Sequence, residues 1–221
     1  MRIALFDLDN TLLAGDSDVE WPRFLISKGI LDAESTAREN DRFFEHYKAG
    51  TLDIQAFLAF QLSPLGRFKR AELDELHREY MRQHIVPLIT DKARALVKQH
   101  QDAGDLVLII TATNRFVTGP IAREFGIEHL IATEPEIVDG EYTGKPTGIP
   151  CFQAGKITRL QHWLEARGEK LADFEESWFY SDSRNDLPLL EQVTHPVAVD
   201  PDDTLRAHAE AHGWPVISLR N

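Results

Sequence analysis

Asp7 and Asp9, two residues apart in FDLDNTL, follow directly on an apolar run that contains Ile3, Leu5 and Phe6. In an extended strand that spacing sends both carboxylates to one face. There each disfavours the other's ionisation unless a cation, a shared proton or water intervenes. A divalent metal resolves the conflict, and donors that are all oxygen suit Mg²⁺, which keeps waters and binds phosphate alongside one or two carboxylates. A second acidic pair, Asp182 and Asp186 in SDSRNDLPLL, repeats the pattern of an apolar run that ends in aspartate. Asp186, just ahead of Leu187 and Pro188, also has the position of a helix cap. Thr111 in IITATN closes another apolar run, and the small residues after it let backbone N–H groups approach an anion. Lys156 in AGKITRL stands at the start of a helical pattern, where its charge opposes the helix dipole unless an anion sits there.

These side chains need elements that bring them together. Four continuous apolar runs, at 2–7, 106–111, 177–182 and 196–200, have the character of buried parallel strands. Ligands of an open α/β sheet bind beyond the carboxyl ends of its strands, so parallel neighbours would bring Asp7, Thr111 and Asp182 to one crevice. Helical patterns at 88–104, 114–126 and 155–168 alternate with the strands, with Asn114 placed to cap the second and glycine as a stop signal. The alternation argues for β-α-β units. Residues 17 to 84 carry no strand run but four amphipathic patterns, among them VEWPRFLISKG and RENDRFFEHYKAG. They predict a helical insert, a small bundle that buries Trp21, Phe24, Leu25, Phe43, Phe44, Phe57 and Phe60. TEPEIVDGEYTGK, 133–145, predicts a hairpin turning at Asp139-Gly140.

Composition narrows the function classes. The 221 residues carry 36 acidic against 24 basic side chains, a net charge of −12 that repels phosphodiester backbones. The basic run FKR at 68–70 is too short to form a patch, so nucleic acid is not an expected partner. No window has the apolar length of a membrane span. Cys151 is the single cysteine, which precludes an intrachain disulfide, and the N-terminus has no signal-peptide pattern; a cytoplasmic location is the expectation. No motif sets a histidine beside Cys151 to make it a nucleophile. GEYTGKP and AGKI contain Gly-Lys without the spacing of a phosphate-binding P-loop, and the nine histidines form no H-E-x-x-H zinc motif.

Taken in order, D-x-D-x-T-L from Asp7, a strand ending in Thr111, then Lys156, then a strand followed by D-x-x-x-D from Asp182 to Asp186, resemble the haloacid dehalogenase-like superfamily of phosphotransferases. The helical insert directly after the first motif is similar to the cap of its phosphoserine phosphatase-like branch. The resemblance implies an α/β fold with a doubly wound, mostly parallel, Rossmann-like core formed by residues 1–15 and 86–221. An all-helical cap, 16–85, is inserted after the first strand. It implies Asp7 as the nucleophile that forms an aspartyl-phosphate and Asp9 as the acid that protonates the leaving alcohol and then activates water. Thr111 and Lys156 would hold the phosphoryl oxygens. Asp7, the backbone carbonyl of Asp9 and Asp182 would ligate Mg²⁺, with Asp186 acting through water or orienting Lys156. Ala112, Asn114 and Asn185, next to these motifs, are the candidates for further substrate contacts.

Asp16 stands near the position where the branch carries a glutamate facing its substrate's amino group, and Asp18 and Glu20 follow. Such carboxylates favour a substrate with a cationic tail; Asp16 or Ser17 is equally placed to cap the first helix of the insert. Thr111-Ala112-Thr113-Asn114 replaces the branch's Ser-Gly-Gly, and no arginine of the insert is identifiable as a partner for a serine carboxylate. An amino-alcohol phosphate such as histidinol phosphate therefore fits better than phosphoserine. The expected activity is Mg²⁺-dependent hydrolysis of a small soluble phosphomonoester. A phosphotransferase or mutase on the same intermediate, and a non-catalytic module that binds a phosphorylated ligand, are the alternatives.

Overall fold

The computed structural model describes residues 1–48 and 51–220, without the side chains of 47 and 48; Ala49 and Gly50, the end of the amphipathic stretch RENDRFFEHYKAG, lie outside the described residues. In chain order the elements are β1 (Arg2–Phe6), α1 (Ser17–Ser27), α2 (Ala33–Lys48), α3 (Ile54–Leu62), α4 (Arg70–Tyr80), α5 (Asp91–Asp102), β2 (Leu106–Asn114), α6 (Arg115–Glu124), β3 (His129–Val138), β4 (Glu141–Thr147), α7 (Ala154–Glu165), β5 (Glu176–Ser181), α8 (Leu187–Leu190), β6 (His195–Val199), α9 (Asp203–His212) and β7 (Val216–Ile217).

The strands form one sheet in the order β4-β3-β2-β1-β5-β6-β7. Each neighbouring pair is parallel except β3 with β4. From β1 the chain winds outward through β2 and β3, then returns to the other side of β1 for β5 and β6, so the sheet is doubly wound. Its switch point lies at the carboxyl end of β1, where a ligand crevice opens in such sheets.

Continuous apolar strands follow from cover on both faces. Ile3 and Leu5 pack with Leu160 and Leu164 of α7, Leu189 and Leu190 of α8 and Leu205 of α9. Ala4 and Phe6, one residue out of phase, pack with Val97 of α5 and Val117 and Ile121 of α6. β2 continues past Thr111 to Asn114, with a register shift against β3 between Ile110 and Asn114. The apolar signal stops at Thr111 because Thr113 and Asn114, although buried, carry polar side chains, while the backbone remains extended. β3 starts at His129, before the hairpin segment: its first residues pair parallel with β2 and its last pair antiparallel with β4. The hairpin turns at Asp139 and Gly140, both at positive φ, 52° and 82°, as a two-residue turn requires.

Between β1 and α5 the regular elements among the described residues are helical, α1 to α4. The chain leaves and rejoins the sheet at adjacent points: Leu13 bridges Ile89, and Ala14 N–H donates to Leu88 C=O at 2.8 Å. Trp21, Phe24 and Leu25 belong to the same buried cluster as Phe6 and Phe116, with the Trp21 ring edge-on to Tyr80 and Phe116. The helical insert thus shares a core with the sheet. Phe43 meets Phe57 and Phe60 in a further aromatic group. Phe44, expected in the bundle interior, is 56% exposed. Consecutive residues of a helix point about 100° apart, and Phe43 takes the inward direction. Among the described residues no helix is long and apolar enough to cross a membrane.

Candidate active site

Asp7 follows the last residue of β1 and is held in register by its N–H, which donates to Tyr180 C=O of β5 at 2.9 Å. Its side chain is buried. Lys156, on the first turn of α7 and equally buried, reaches across with Nζ 2.8 Å from Asp7 Oδ1 and 2.8 Å from Asp186 Oδ2. Ser181 Oγ donates to the same Asp186 oxygen at 2.7 Å. Burial pushes Asp7 up to about 7; Lys156 opposes this, and Asp186 and Asp9 add to it. Burial by itself would depress Lys156, but Asp186 and Asp7 outweigh it and hold the ammonium well above its ordinary range. Lys156 is therefore a permanent cation.

The chain turns sharply after Asp7. β1 ends at Phe6 and Leu8–Leu12 form a helical turn, with Asn10 at φ 56°, so the strand spacing that would put both carboxylates on one face does not extend to Asp9. The two take different partners, though Asp9 is near enough to add to the rise of Asp7. Asp9 Oδ1 accepts from both the N–H and the hydroxyl of Ser17, each at 2.6 Å, and Asp9 Oδ2 accepts from Thr113 Oγ1 at 2.7 Å. Burial raises Asp9 to about 6, with Asp16 adding to the effect and the bonds from Ser17 and Thr113 counteracting it.

Asp182, one residue past β5, sits beside Thr11. The Thr11 hydroxyl lies 3.0 Å from Asp182 Oδ1 and 3.3 Å from Asp7 Oδ2, and accepts from Asp182 N–H at 3.0 Å. Burial pushes Asp182 up to about 8, Asp7 adding to the rise and Thr11 resisting it. Asp186 precedes α8 as the cap reading requires, but its side chain makes no cap bond; it serves Lys156 instead.

A cavity of about 640 Å³ opens between the helical insert and the end of β2. Ala112, Thr113, Asn114 and Asn185 line it on the sheet side, Asp16 and Asp18 on α1, and Phe43, Phe44, Phe57 and Phe152 form apolar walls. Asp16 caps α1, accepting from the N–H groups of Asp18 and Val19, so its cap role and its place on the cavity wall coexist. Asp18 accepts from Gln61 Nε2 of α3 at 3.1 Å. Its pKa is raised well above the ordinary range by burial, then by Asp16 and Asp9.

Asp7, Asp9, Lys156, Asp182 and Asp186 are thus gathered at the switch point. Thr111 reaches it fully buried, its hydroxyl accepting from Thr113 N–H at 3.2 Å. Asn114 lines the cavity but spends its side-chain oxygen as the cap of α6, accepting from Val117 N–H at 3.2 Å. Ala112 C=O accepts from Thr133 at 2.7 Å. Cys151 is fully buried and its thiol is pushed up to about 12 by burial, which leaves it unreactive. The hydroxyls of Thr11, Ser17, Thr113 and Ser181 escaped the sequence reading as site residues. Thr11 was visible in the D-x-D-x-T motif and Ser17 only as a rival cap.

Residues 4–191 match the family model of haloacid dehalogenase-like hydrolase. The chain belongs to that family. A histidinol-phosphatase of Neisseria meningitidis serogroup C (strain 8013) is 49% identical over 220 residues, covering 99% of each chain. The crystal structure of a protein of unknown function from Bordetella pertussis Tohama I is equally similar, 49% identical with a TM-score of 0.94 over 99% of each chain. A phospho-aspartyl intermediate analogue of phosphoserine phosphatase, 18% identical, shares the fold with a TM-score of 0.66 over 99% of this chain and 93% of that one.

Proposed function

We propose that this protein is a Mg²⁺-dependent phosphomonoesterase that works through an aspartyl-phosphate on Asp7. Its substrate is a small amino-alcohol phosphate, histidinol phosphate first among them. One observation carries the reaction class: Asp7 is paired with a buried lysine, while Asp9 is held apart by Ser17 and Thr113. Two carboxylates in separate environments suit separate roles. In this reading residues 16–85 cap a core formed by 1–15 and 86–221.

The residues fit a divalent cation. Asp7 and Asp186 share the one ammonium of Lys156 while Asp182 bonds Thr11, and burial with mutual repulsion raises Asp7 to about 7 and Asp182 to about 8. Such a donor set lacks positive charge. Mg²⁺ takes one or two carboxylates and keeps its waters; among the described residues no group of three or more His, Cys, Asp or Glu side chains is placed to hold a metal ion. Asp7, Asp182 and the backbone carbonyl of Asp9 would hold Mg²⁺, with Asp186 orienting Lys156. When bound, Mg²⁺ would supply positive charge at the phosphoryl oxygens.

A carboxylate about 4 Å from a phosphate dianion meets about 8 kcal/mol of repulsion at an effective dielectric of about 20. Lys156, charged at any working pH, offsets part of that, and Thr111 stands at the strand end to bind a phosphoryl oxygen. An oxygen of Asp7 attacks phosphorus as the ester P–O bond breaks, and the leaving alcohol oxygen takes the proton from Asp9. Asp9, now a carboxylate, takes a proton from water whose oxygen attacks phosphorus. The bond to Asp7 breaks and inorganic phosphate leaves.

The substrate reading is supported by the name of the 49% identical relative and by the cavity itself. Asp16 and Asp18 face a space with aromatic walls, which suits an amine and an imidazole. Phosphate release from histidinol phosphate, phosphoserine and neutral sugar phosphates, with Mg²⁺ or EDTA, tests both parts. Release that needs Mg²⁺, is abolished in Asp7→Asn and is fastest on histidinol phosphate is the expected result. Equal turnover of neutral sugar phosphates would overturn the substrate assignment, and release by Asp7→Asn the mechanism.

A further inference from the structure

The turn that follows Asp7 is gripped by a residue from the far end of the chain. Asn10, at φ 56°, and Thr11 lie in the middle of this turn. It is closed by Leu13 N–H to Leu8 C=O at 3.0 Å and by Asn10 N–H to Gly15 C=O at 2.8 Å, and neither bond uses the carbonyls of Asn10 and Thr11. Those two accept from Arg220: Nη1 donates to Thr11 C=O at 3.4 Å and Nη2 to Asn10 C=O. The Nε of the same guanidinium lies 3.7 Å from Asp200 Oδ2, past the end of β6. A planar fork can meet two neighbouring acceptors at once, as the single nitrogen of a lysine does not. The segment that carries Arg220 has its own anchors. Leu219 is buried, its C=O accepts from the Thr90 hydroxyl at 2.6 Å and its N–H donates to Asp200 Oδ2 at 3.0 Å. Lys92 Nζ donates to the Arg220 carbonyl at 2.5 Å. The guanidinium therefore projects from a fixed base.

What this grip holds in place is Thr11. The Thr11 hydroxyl lies 3.0 Å from Asp182 Oδ1 and 3.3 Å from Asp7 Oδ2, and it accepts from Asp182 N–H at 3.0 Å. One side chain thus touches the carboxylate that follows β1 and both the backbone and the carboxylate that follow β5. A shift of the Thr11 backbone changes the spacing of Asp7 and Asp182. We infer that Arg220 is a positioning residue for divalent-cation binding: it clamps the carbonyls of Asn10 and Thr11 so that Thr11 keeps Asp7 and Asp182 at the spacing the cation takes. The inference rests on the reading of Asp7 and Asp182 as ligands of Mg²⁺. The sign of the effect separates the clamp from its charge. A guanidinium near a bound cation repels it, so by charge alone its removal tightens cation binding. Removal of a clamp weakens it.

Mn²⁺, which suits the same oxygen donors as Mg²⁺, is the probe, titrated into the protein without substrate and counted as free ion by its EPR signal. Arg220→Ala binds Mn²⁺ about tenfold more weakly than the wild type, although it carries one positive charge fewer. Arg220→Lys keeps the charge without the fork and binds at least about threefold more weakly; it decides alone if the alanine variant does not fold. Thr11→Val loses at least as much as Arg220→Ala, and the double variant Arg220→Ala/Thr11→Val binds no more weakly than Thr11→Val alone. On any phosphomonoester the wild type hydrolyses, Arg220→Ala needs about tenfold more Mg²⁺ for half-maximal rate, while kcat at saturating Mg²⁺ stays within about twofold. Mn²⁺ binding by Arg220→Ala that equals or exceeds the wild type, full affinity in Arg220→Lys, or additive losses in the double variant would overturn the inference. The metal reading survives those results if Asp182→Asn still weakens Mn²⁺ binding. A wild type that binds no Mn²⁺ overturns both.

Discussion

Ser17 gives its backbone N–H and its hydroxyl to a single oxygen of Asp9, each at 2.6 Å. Ser17 begins α1, and its own carbonyl accepts from the buried Tyr80 hydroxyl at 2.8 Å, so the orientation of Asp9 is set by a helix of the insert. Both bonds favour the carboxylate form. Ser17→Ala removes the hydroxyl and raises the pKa of Asp9. The pH-rate limb belonging to Asp9 therefore moves to higher pH, and kcat falls about tenfold at neutrality as the side chain loses its fixed direction. Phosphate release followed across pH checks this, with Thr113→Val expected to shift the limb the same way; an unmoved limb in both would remove Asp9 from the acid–base role.

Asp182 differs from Asp7 and Asp186 in its partner. Thr11 stands beside it, while Lys156 is engaged by Asp7 and Asp186. Asp182→Asn is therefore expected to raise the Mg²⁺ concentration needed for half-maximal activity about 100-fold, and saturating Mg²⁺ restores most of the turnover. EDTA abolishes activity in both proteins. A Mg²⁺ titration that coincides with the wild type would take Asp182 out of the metal site.

How much of this was legible beforehand differs from residue to residue. β1, β2, β5 and β6 are buried on both faces, and that forces the continuous apolar runs by which they can be recognised. β7 has two residues, too few for any pattern. The parallel half of β3 draws on a short run, HLIA, whose pairing with β2 is decided by the sheet. The aspartates and Lys156 announced themselves because charge at a strand end or against a helix dipole needs a reason. The hydroxyls of Ser17, Thr113 and Ser181 did not, since serine and threonine are common at helix starts and strand ends and their partners come from distant segments. Asp186 could have capped α8; only the arrival of Lys156, 30 residues away in the chain, shows where its charge is used.

His77 supplies a test of the insert's packing. Its Nε2 lies 2.9 Å from Val117 C=O, its ring stacks on Trp21, and burial lowers its pKa from 6.5 to about 4. Between those two values the unfolded chain takes up a proton that the native state refuses. His77 therefore contributes stability above the unfolded value, and this is lost as pH falls, by about 3 kcal/mol over the window. His77→Gln keeps a donor for Val117 but cannot titrate. Urea unfolding at pH 7 and pH 4 should show the stability difference between wild type and variant shrinking by about that amount. A difference that is the same at both pH values would mean that His77 is solvated or charged in the native protein.

Asp18 should decide between cationic and neutral substrates. It lines the cavity and is held by Gln61 at 3.1 Å, and burial followed by Asp16 and Asp9 raises its pKa well above the ordinary range. Its negative charge is therefore costly until a cation arrives, and an ammonium or imidazolium in the cavity stabilises the ionised form. KM for histidinol phosphate should rise as pH falls, because protonation of Asp18 removes the partner of the cation, while KM for a neutral sugar phosphate lacks that dependence. Asp18→Asn removes the charge at nearly constant volume. It is expected to cut kcat/KM for histidinol phosphate by about 10–100-fold, the range for losing a hydrogen bond to a charged group, to change the neutral substrate about twofold at most, and to flatten the acidic limb of KM. Parallel losses on both substrates would place Asp18 in the scaffold of α1 and α3 instead, and the recognition of the cation would fall to Asp16.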